Sequence, residues 1–327
     1  MSKINSSLGW LGIGAVIGAA WASLKIGQAI LQGDQLSRLL HPPRGQQFAE
    51  TRQETAYTVA HTVGDGIERI TYTPVQRRFE TPILMQHGMW HGAWCWQPWQ
   101  ALLAEWGWES TAISLPGHSS SPEQRPLMLC TLEYYLSFLK AAVDQMPRKP
   151  VLMGHSMGGA LTQWYLKYVG DDLPAAVMVA PWNAFDVLRD SLPLFVKLQP
   201  LAVLETFLSM HARPLVRTPE RAAGALLSPG SSVSPAELHA HLDSESALIL
   251  FEHRPPHWTP PANLKTPTLL LAGEADAVVS LAGLRRSAAH FGADFIAIPG
   301  AGHNLMHAHN ARKTAEQIHI WLSDRLS

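Results

Sequence analysis

The sequence predicts an α/β protein: a mostly parallel, doubly wound sheet with a helical cap insertion and an N-terminal apolar helix. Three observations predict it. Short apolar runs of strand length alternate with helix-length stretches from about residue 83 onward, the pattern of a parallel sheet with helices on both faces. The alternation breaks after Pro181-Trp182-Asn183 and resumes near Thr268. Finally, the run Val151-Leu-Met-Gly-His-Ser-Met-Gly-Gly159 carries a buried strand straight into a glycine-flanked serine. Gly154 and Gly158, two positions either side of Ser156, permit a sharp strand-to-helix turn that side chains would obstruct.

Composition bounds what this architecture can do. The 327 residues suffice for one large domain or two small ones, and a 46% hydrophobic content suffices for a core. With 25 basic against 26 acidic residues there is no broad positive field to hold a phosphate backbone, so nucleic acid is not an expected partner. Cys95 and Cys130 are the only cysteines. That excludes a disulfide-dense scaffold and most cysteine-based zinc sites; two buried thiols are the preferred reading and one disulfide the alternative.

Residues 1–33 read as a membrane-anchor or signal-like helix. Leu8 to Leu24 carries no charged side chain and is followed by Lys25 and the apolar run Ile26 to Leu31. A bilayer core needs about twenty helical residues, so the span must either extend through Leu31 or let Lys25 snorkel to the interface. Gly14 and Gly18 have the spacing at which two membrane helices approach closely. Membrane association through residues 8–31, as a single-pass anchor, is the first expectation. Lys25, Arg38 and Arg44 outnumber Lys3, which puts the following domain on the cytoplasmic side. Secretion after cleavage at Ala20-Trp21-Ala22, or a soluble or interfacial helix, are the alternatives.

Residues 34–56 read as a linker and residues 57–327 as the folded domain. Two extended runs between Tyr57 and Tyr72 flank Gly64-Asp65-Gly66, a hairpin. Ile83 to Gln86 is a short apolar strand that ends in His87-Gly88-Met89-Trp90-His91, ahead of a helix near Gln97. Strand Thr111 to Leu115, the turn Pro116-Gly117-His118-Ser119 and helix Leu132 to Gln145 follow. Next come the serine strand with its helix to about Val169, and strand Ala175 to Ala180. From about 184 to 261 the chain is helical in pattern, punctuated by proline and dense in apolar positions such as Phe195, Leu201 and Phe207, and is read as the cap. The sheet resumes with Thr268 to Ala272, helix Leu281 to His290, strand Phe295 to Ile298 and a closing helix Ala311 to Leu322.

A serine hydroxyl is a poor nucleophile at neutral pH and needs a base, and the base needs a group that holds its tautomer. Gly273-Glu274-Ala275-Asp276 directly follows the resumed strand, and Gly300-Ala301-Gly302-His303 the last one. His303, His307 and His309 have a spacing that could hold zinc, but no zincin glutamate or cysteine partner accompanies them.

In order and spacing, five pieces resemble the motifs of α/β-hydrolase-fold proteins of the serine-nucleophile, cap-bearing kind: His87-Gly88, Leu115-Pro116-Gly117-His118, Gly154-His155-Ser156-Met157-Gly158-Gly159, Gly273-x-x-Asp276-x-x-Val279 and Gly302-His303. The resemblance covers the chain from about Tyr57 onward. It implies Ser156 as nucleophile, His303 as general base and acid, Asp276 as its orienter, and an oxyanion hole from the backbone N–H groups of Met89 and Met157. His91-Gly92-Ala93-Trp94-Cys95-Trp96 is also similar to the plant methyl-esterase and hydroxynitrile-lyase branch, a match too short to carry a substrate. Serine at the elbow, rather than aspartate, argues against haloalkane dehalogenase and epoxide hydrolase relatives.

The expected activity is hydrolysis of a small hydrophobic carboxylic ester, lipase-like or esterase-like, through an acyl-serine intermediate, with no metal and no cofactor. Trp90, His155, Phe195 and Phe207 are the expected substrate contacts. His87 and His118 are expected to brace loops, and the cap histidines His211, His239, His241, His253 and His257 to lie on the surface. Acyl transfer to an alcohol, a cofactor-free lyase or perhydrolase reaction, and non-catalytic ligand binding are the alternatives. Oligomeric state is not legible in the sequence.

Overall fold

A computed structural model describes residues 47–326. The expected N-terminal helix, with its anchoring role, lies outside the described residues; among those described, no helix is long and apolar enough to cross a membrane. The core is one nine-stranded sheet of order β1-β2-β3-β5-β4-β6-β7-β8-β9. Its first part is antiparallel: β1 (Phe48–Gln53), β2 (Tyr57–Gly64) and β3 (Ile67–Pro74). The β2–β3 turn is Asp65-Gly66 with φ of 53° and 78°, the left-handed pair that a two-residue hairpin loop needs and that Asp-Gly supplies.

β1 corrects the sequence reading, which assigned residues 34–56 to a linker. All six of its side chains are exposed. A strand with no buried face leaves no apolar alternation to read, and it exists only because the edge of β2 offers unpaired backbone groups to it.

The rest of the sheet is parallel: β4 (Ile83–Gln86), β5 (Ser110–Ser114), β6 (Val151–His155), β7 (Ala176–Val179), β8 (Thr268–Gly273) and β9 (Asp294–Ile298). Every residue of β4, β6, β7 and β8 is buried. Strands covered on both faces need unbroken apolar runs rather than alternation. Parallel pairing also brings the carboxyl ends of β4, β6, β8 and β9 to one edge of the sheet, where ligand crevices form in open α/β folds.

Five helices complete the α/β body: α1 (Gln97–Glu105), α2 (Leu132–Asp144), α3 (Met157–Tyr168), α9 (Leu281–Phe291) and α10 (Ala311–Leu326). Side-chain caps fix the starts of two of them, Thr131 accepting from the Tyr134 N–H and Ser280 from the Gly283 N–H. α10 is held to the α1 region by two buried indoles: Trp99 donates to the Ala311 carbonyl at 3.1 Å and Trp108 to His319 Nδ1 at 3.0 Å. Cys95 and Cys130 are both free and buried, and burial pushes the Cys130 thiol up to about 12.

Between β7 and β8 lie the cap helices α4 (Val187–Leu198), α5 (Pro200–Ser209), α6 (Pro219–Leu226), α7 (Pro235–His241) and α8 (Leu248–Glu252). Three of them, α5, α6 and α7, start on a proline, whose missing N–H is harmless in the first turn. The cap is tied to the sheet body by buried polar contacts. Glu245, fully inaccessible, accepts from His118 Nε2 at 3.1 Å, from the Tyr135 hydroxyl at 2.8 Å and from the Ser246 N–H at 2.8 Å. Burial alone would lower the pKa of His118, but the Glu245 carboxylate outweighs it and the pKa is raised. Asp243 accepts from the Ser119 N–H at 2.7 Å, and its own N–H donates to the Trp90 carbonyl at 2.8 Å.

His253 is a second correction. Expected on the cap surface, it is fully buried beside Trp258, with its Nε2–H donating to the Asn183 carbonyl at 2.9 Å and its Nδ1 accepting from Trp164 Nε1 at 3.1 Å. A polar residue in a polar stretch gives no local sign of burial; packing between the cap and α3 decides it. Burial lowers its pKa to about 4, so between pH 6.5 and 4 the unfolded chain binds the proton that the folded chain refuses. Its contribution to stability is present above pH 6.5 and is lost as pH falls, by about 3 kcal/mol at pH 4. Urea unfolding at pH 7 and at pH 4.5 checks this: the stability loss on acidification should be smaller in His253→Gln than in the unsubstituted protein.

Candidate active site

Ser156 sits between β6 and α3 at φ 53° and ψ −116°, a region that a residue with a side chain enters only when its surroundings hold it there. They do. Its N–H donates to the Val179 carbonyl at 3.0 Å, and its own carbonyl accepts from the Ala160 and Trp182 N–H groups at 3.1 and 3.3 Å. The flanking glycines have a measurable reason. A Cβ at Gly154 would lie 2.2 Å from the Gly158 carbonyl oxygen, and one at Gly158 would lie 2.2 Å from the Gln86 carbonyl oxygen. The elbow therefore packs backbone on backbone, against both itself and the end of β4.

Asp276 and His303 come from the loops after β8 and β9. His303 Nδ1 donates to Asp276 Oδ2 at 2.8 Å, and both side chains are almost inaccessible. The other carboxylate oxygen, Oδ1, accepts from the Val278 and Val279 N–H groups at 2.7 and 3.1 Å, which fixes the acid's direction. A Cβ at Gly273 would lie 2.4 Å from the carbonyl oxygens of Ala301 and Gly302, so this glycine lets the two loops touch. Glu274, the nearest rival carboxylate, is exposed.

The turn after β4 lies against the elbow: a Cβ at Gly88 would be 2.8 Å from Ser156 Cβ. Met89 and Met157 therefore flank Ser156. Met157 is the first residue of α3, where a helix leaves its N–H without a partner. Met89 is held by His91, whose Nδ1–H donates to the Met89 carbonyl at 2.7 Å while Nε2 accepts from Asn304 Nδ2 at 3.0 Å. Burial, only partly offset by that carbonyl, pushes His91 down to about 3. His87 similarly bridges strands, with Nδ1–H donating to the Gly88 carbonyl at 2.7 Å and Nε2 accepting from the Leu115 N–H at 3.0 Å.

Above Ser156 is a cavity walled by the turn after β4 and by the cap. Met89, Trp90, Phe195 and Phe207 all line it, alongside Trp182 and Leu188. His155, expected to contact substrate, does not line it. Its ring is fully buried behind the site, with Nε2 donating to the His303 carbonyl at 3.2 Å and the two rings 4.8 Å apart. Because side chains alternate along a strand, the residue before the elbow serine faces away from the cavity that Ser156 faces.

A family model matches residues 83–317. The chain belongs to the alpha/beta hydrolase family. It is 33% identical over 95 residues to the probable esterase PIR7A of Oryza sativa subsp. indica, covering 29% of this chain and 36% of that protein. It is 32% identical over 96 residues to the pFDCC methylesterase MES16 of Arabidopsis thaliana, covering 29% and 36%. Norfluorocurarine synthase 1 of Strychnos nux-vomica is 27% identical over 141 residues, covering 38% and 53%. The chain thus spans between about a third and a half of the length of these relatives. Among solved structures, the monoacylglycerol lipase of Paleococcus ferrophilus superposes with a TM-score of 0.58 at 22% identity, covering 79% of this chain and 99% of that one. The carboxylesterase CesB of Bacillus subtilis gives 0.57 at 16% identity, covering 92% and 98%. At such identities the structural likeness is one of fold.

Two polar cavity residues escaped the sequence reading, Ser191 on α4 and Thr206 on α5. A single hydroxyl in an amphipathic helix reads as part of its polar face, and only the way the cap helices pack turns it inward. The backbone contacts at the elbow lead to a comparative prediction. Gly158→Ala must push α3 off β4 and should lower stability by about 1–3 kcal/mol or more. Gly64→Ala, where an added Cβ meets nothing within 4 Å, should change it by less than about 0.5 kcal/mol. Denaturant midpoints of the two proteins check the contrast.

Proposed function

We propose that the protein is a serine hydrolase that cleaves a hydrophobic carboxylic ester through an acyl-serine intermediate. The observation that carries this reading is the Asp276–His303 hydrogen bond at 2.8 Å, with His303 packed on His155, the residue before a strained Ser156 that opens onto an apolar cavity. Ser156 Oγ attacks the ester carbonyl while His303 Nε2 takes its proton; Asp276 holds the Nδ1–H and stabilises the imidazolium. The backbone N–H groups of Met89 and Met157 hold the oxyanion, a contribution that typically amounts to about 3–4 kcal/mol per donor. His303 then returns the proton to the departing alcohol, and water repeats the attack on the acyl-serine to release the acid. Similarity to named esterases supports the ester, and the apolar lining supports a hydrophobic group on it.

Ser156→Ala and His303→Ala should each lower kcat by about 10⁴- to 10⁶-fold, and Asp276→Asn by about 10⁴-fold. A fluorophosphonate probe should label the unsubstituted protein and not Ser156→Ala. Near-normal turnover by Asp276→Asn would remove Asp276 as the orienter. Product analysis with and without an added alcohol acceptor separates hydrolysis from acyl transfer.

The N-terminal apolar run completes the proposal: residues 8–31 anchor the enzyme to a membrane with the hydrolase domain on the cytoplasmic side. The full-length chain should then fractionate with membranes and resist high-salt extraction, whereas a chain shortened to begin at Gly45 should be soluble and keep its esterase activity. Recovery of the unprocessed full-length chain in the soluble fraction would reject the anchor, and a mature N-terminus at Ser23 would favour secretion.

A further inference from the structure

Ser191 and Thr206 are only 7% and 2% exposed, both line the cavity over Ser156, and neither hydroxyl has a hydrogen-bond partner. The Trp90 indole N–H, on a residue 3% exposed and in the same lining, is likewise unpaired. A buried polar group without a partner costs about 1–3 kcal/mol. Buried hydroxyls in other helices avoid that cost. The hydroxyls of Thr162, Ser287 and Thr314, also buried within helices, each donate to the carbonyl four residues earlier, on Gly158, Gly283 and Asn310, at 3.0, 2.8 and 3.1 Å. The carbonyls of Val187 and Ala202 stand in the same relation to Ser191 and Thr206, and neither hydroxyl uses them. Alanine and valine would occupy similar volumes without the penalty.

Apart from Ser156 the remaining lining is apolar, and no charged side chain belongs to it. A carboxylate, phosphate or ammonium would therefore enter without a counter-charge. A serine or threonine hydroxyl can donate or accept, whereas an indole N–H only donates, so the one ligand chemistry that suits all three groups is a neutral oxygen acceptor. We propose that Ser191, Thr206 and Trp90 form a polar subsite that binds a hydroxyl, ketone or second ester carbonyl carried on the hydrophobic part of the substrate, away from the scissile carbonyl. The proposal rests on reading the cavity as the binding site of a serine esterase. A plain alkyl chain would cover the three groups and leave them unpaired; an oxygenated chain of the same length would satisfy them, and sites built in this way reject the analogue that lacks the oxygen. The oxygen can reside on either the acyl or the alcohol part, and the test separates the two.

Full-length Ser156→Ala protein, which would hold intact esters, is titrated calorimetrically with two series. One pairs methyl octanoate with methyl hydroxyoctanoates bearing the hydroxyl at successive carbons. The other pairs octyl acetate with the monoacetates of octanediols. In one series, an oxygenated ester should bind about tenfold more tightly than its plain partner. Adding Ser191→Ala and Thr206→Val should bring the ratio to within about twofold. Each replacement is also made singly, so that misfolding of one leaves the other to decide. Equal binding of plain and oxygenated esters at every position would overturn the subsite, as would a preference that survives loss of both hydroxyls. Hydrolysis that persists in Ser156→Ala would instead overturn the serine-esterase reading, and the binding ratios would still decide the subsite.

Discussion

The backbone turn at Ser156 is the constraint on which the rest of the structure depends. At φ 53° and ψ −116° it stores strain of the order of 1–3 kcal/mol, and the fold must supply that from packing. β6 lies between β4 and β7, so the elbow is gripped from both sides. The Val179 carbonyl at the end of β7 takes its N–H, and the turn after β4 presses so closely that Gly88 has no room for a Cβ. The same close approach that makes the turn possible brings the turn carrying Met89 against Ser156.

A second constraint is electrostatic. Several imidazoles crowd around His303: His155 with its ring 4.8 Å away, and His91 packed edge-on against His155 at 5.6 Å. Were they charged, they would repel one another. Burial keeps them neutral, lowering His155 well below its ordinary range and His91 to about 3, and the proximity of His303 lowers both further. A neutral ring can donate from one nitrogen and accept at the other, which lets His91 serve as a hydrogen-bonded strut for the turn after β4. His118 is the counter-example. Both its nitrogens face oxygens, on Pro116 and Glu245, and its raised pKa suits it to joining cap to body.

Much of this is legible in the sequence. The hairpin turn Asp65-Gly66, the buried parallel strands, the glycines around Ser156, and the positions of Asp276 and His303 after their strands all depend on turn chemistry and side-chain period. These act over a few neighbouring residues, so a single stretch of sequence carries them. What stayed hidden depends on residues far apart in the chain. β1 has no buried face and forms only against the edge of β2. The burial of His253 needs Trp164 and Asn183, and that of Glu245 needs His118 and Tyr135, more than a hundred residues away. Likewise, whether Ser191 and Thr206 face water or the cavity is decided by how α4 and α5 settle over Ser156. The sequence by itself determined the backbone plan and the reactive residue types, because both are local; only the tertiary structure decided which polar groups were buried and what they faced, because burial is a property of the packed whole.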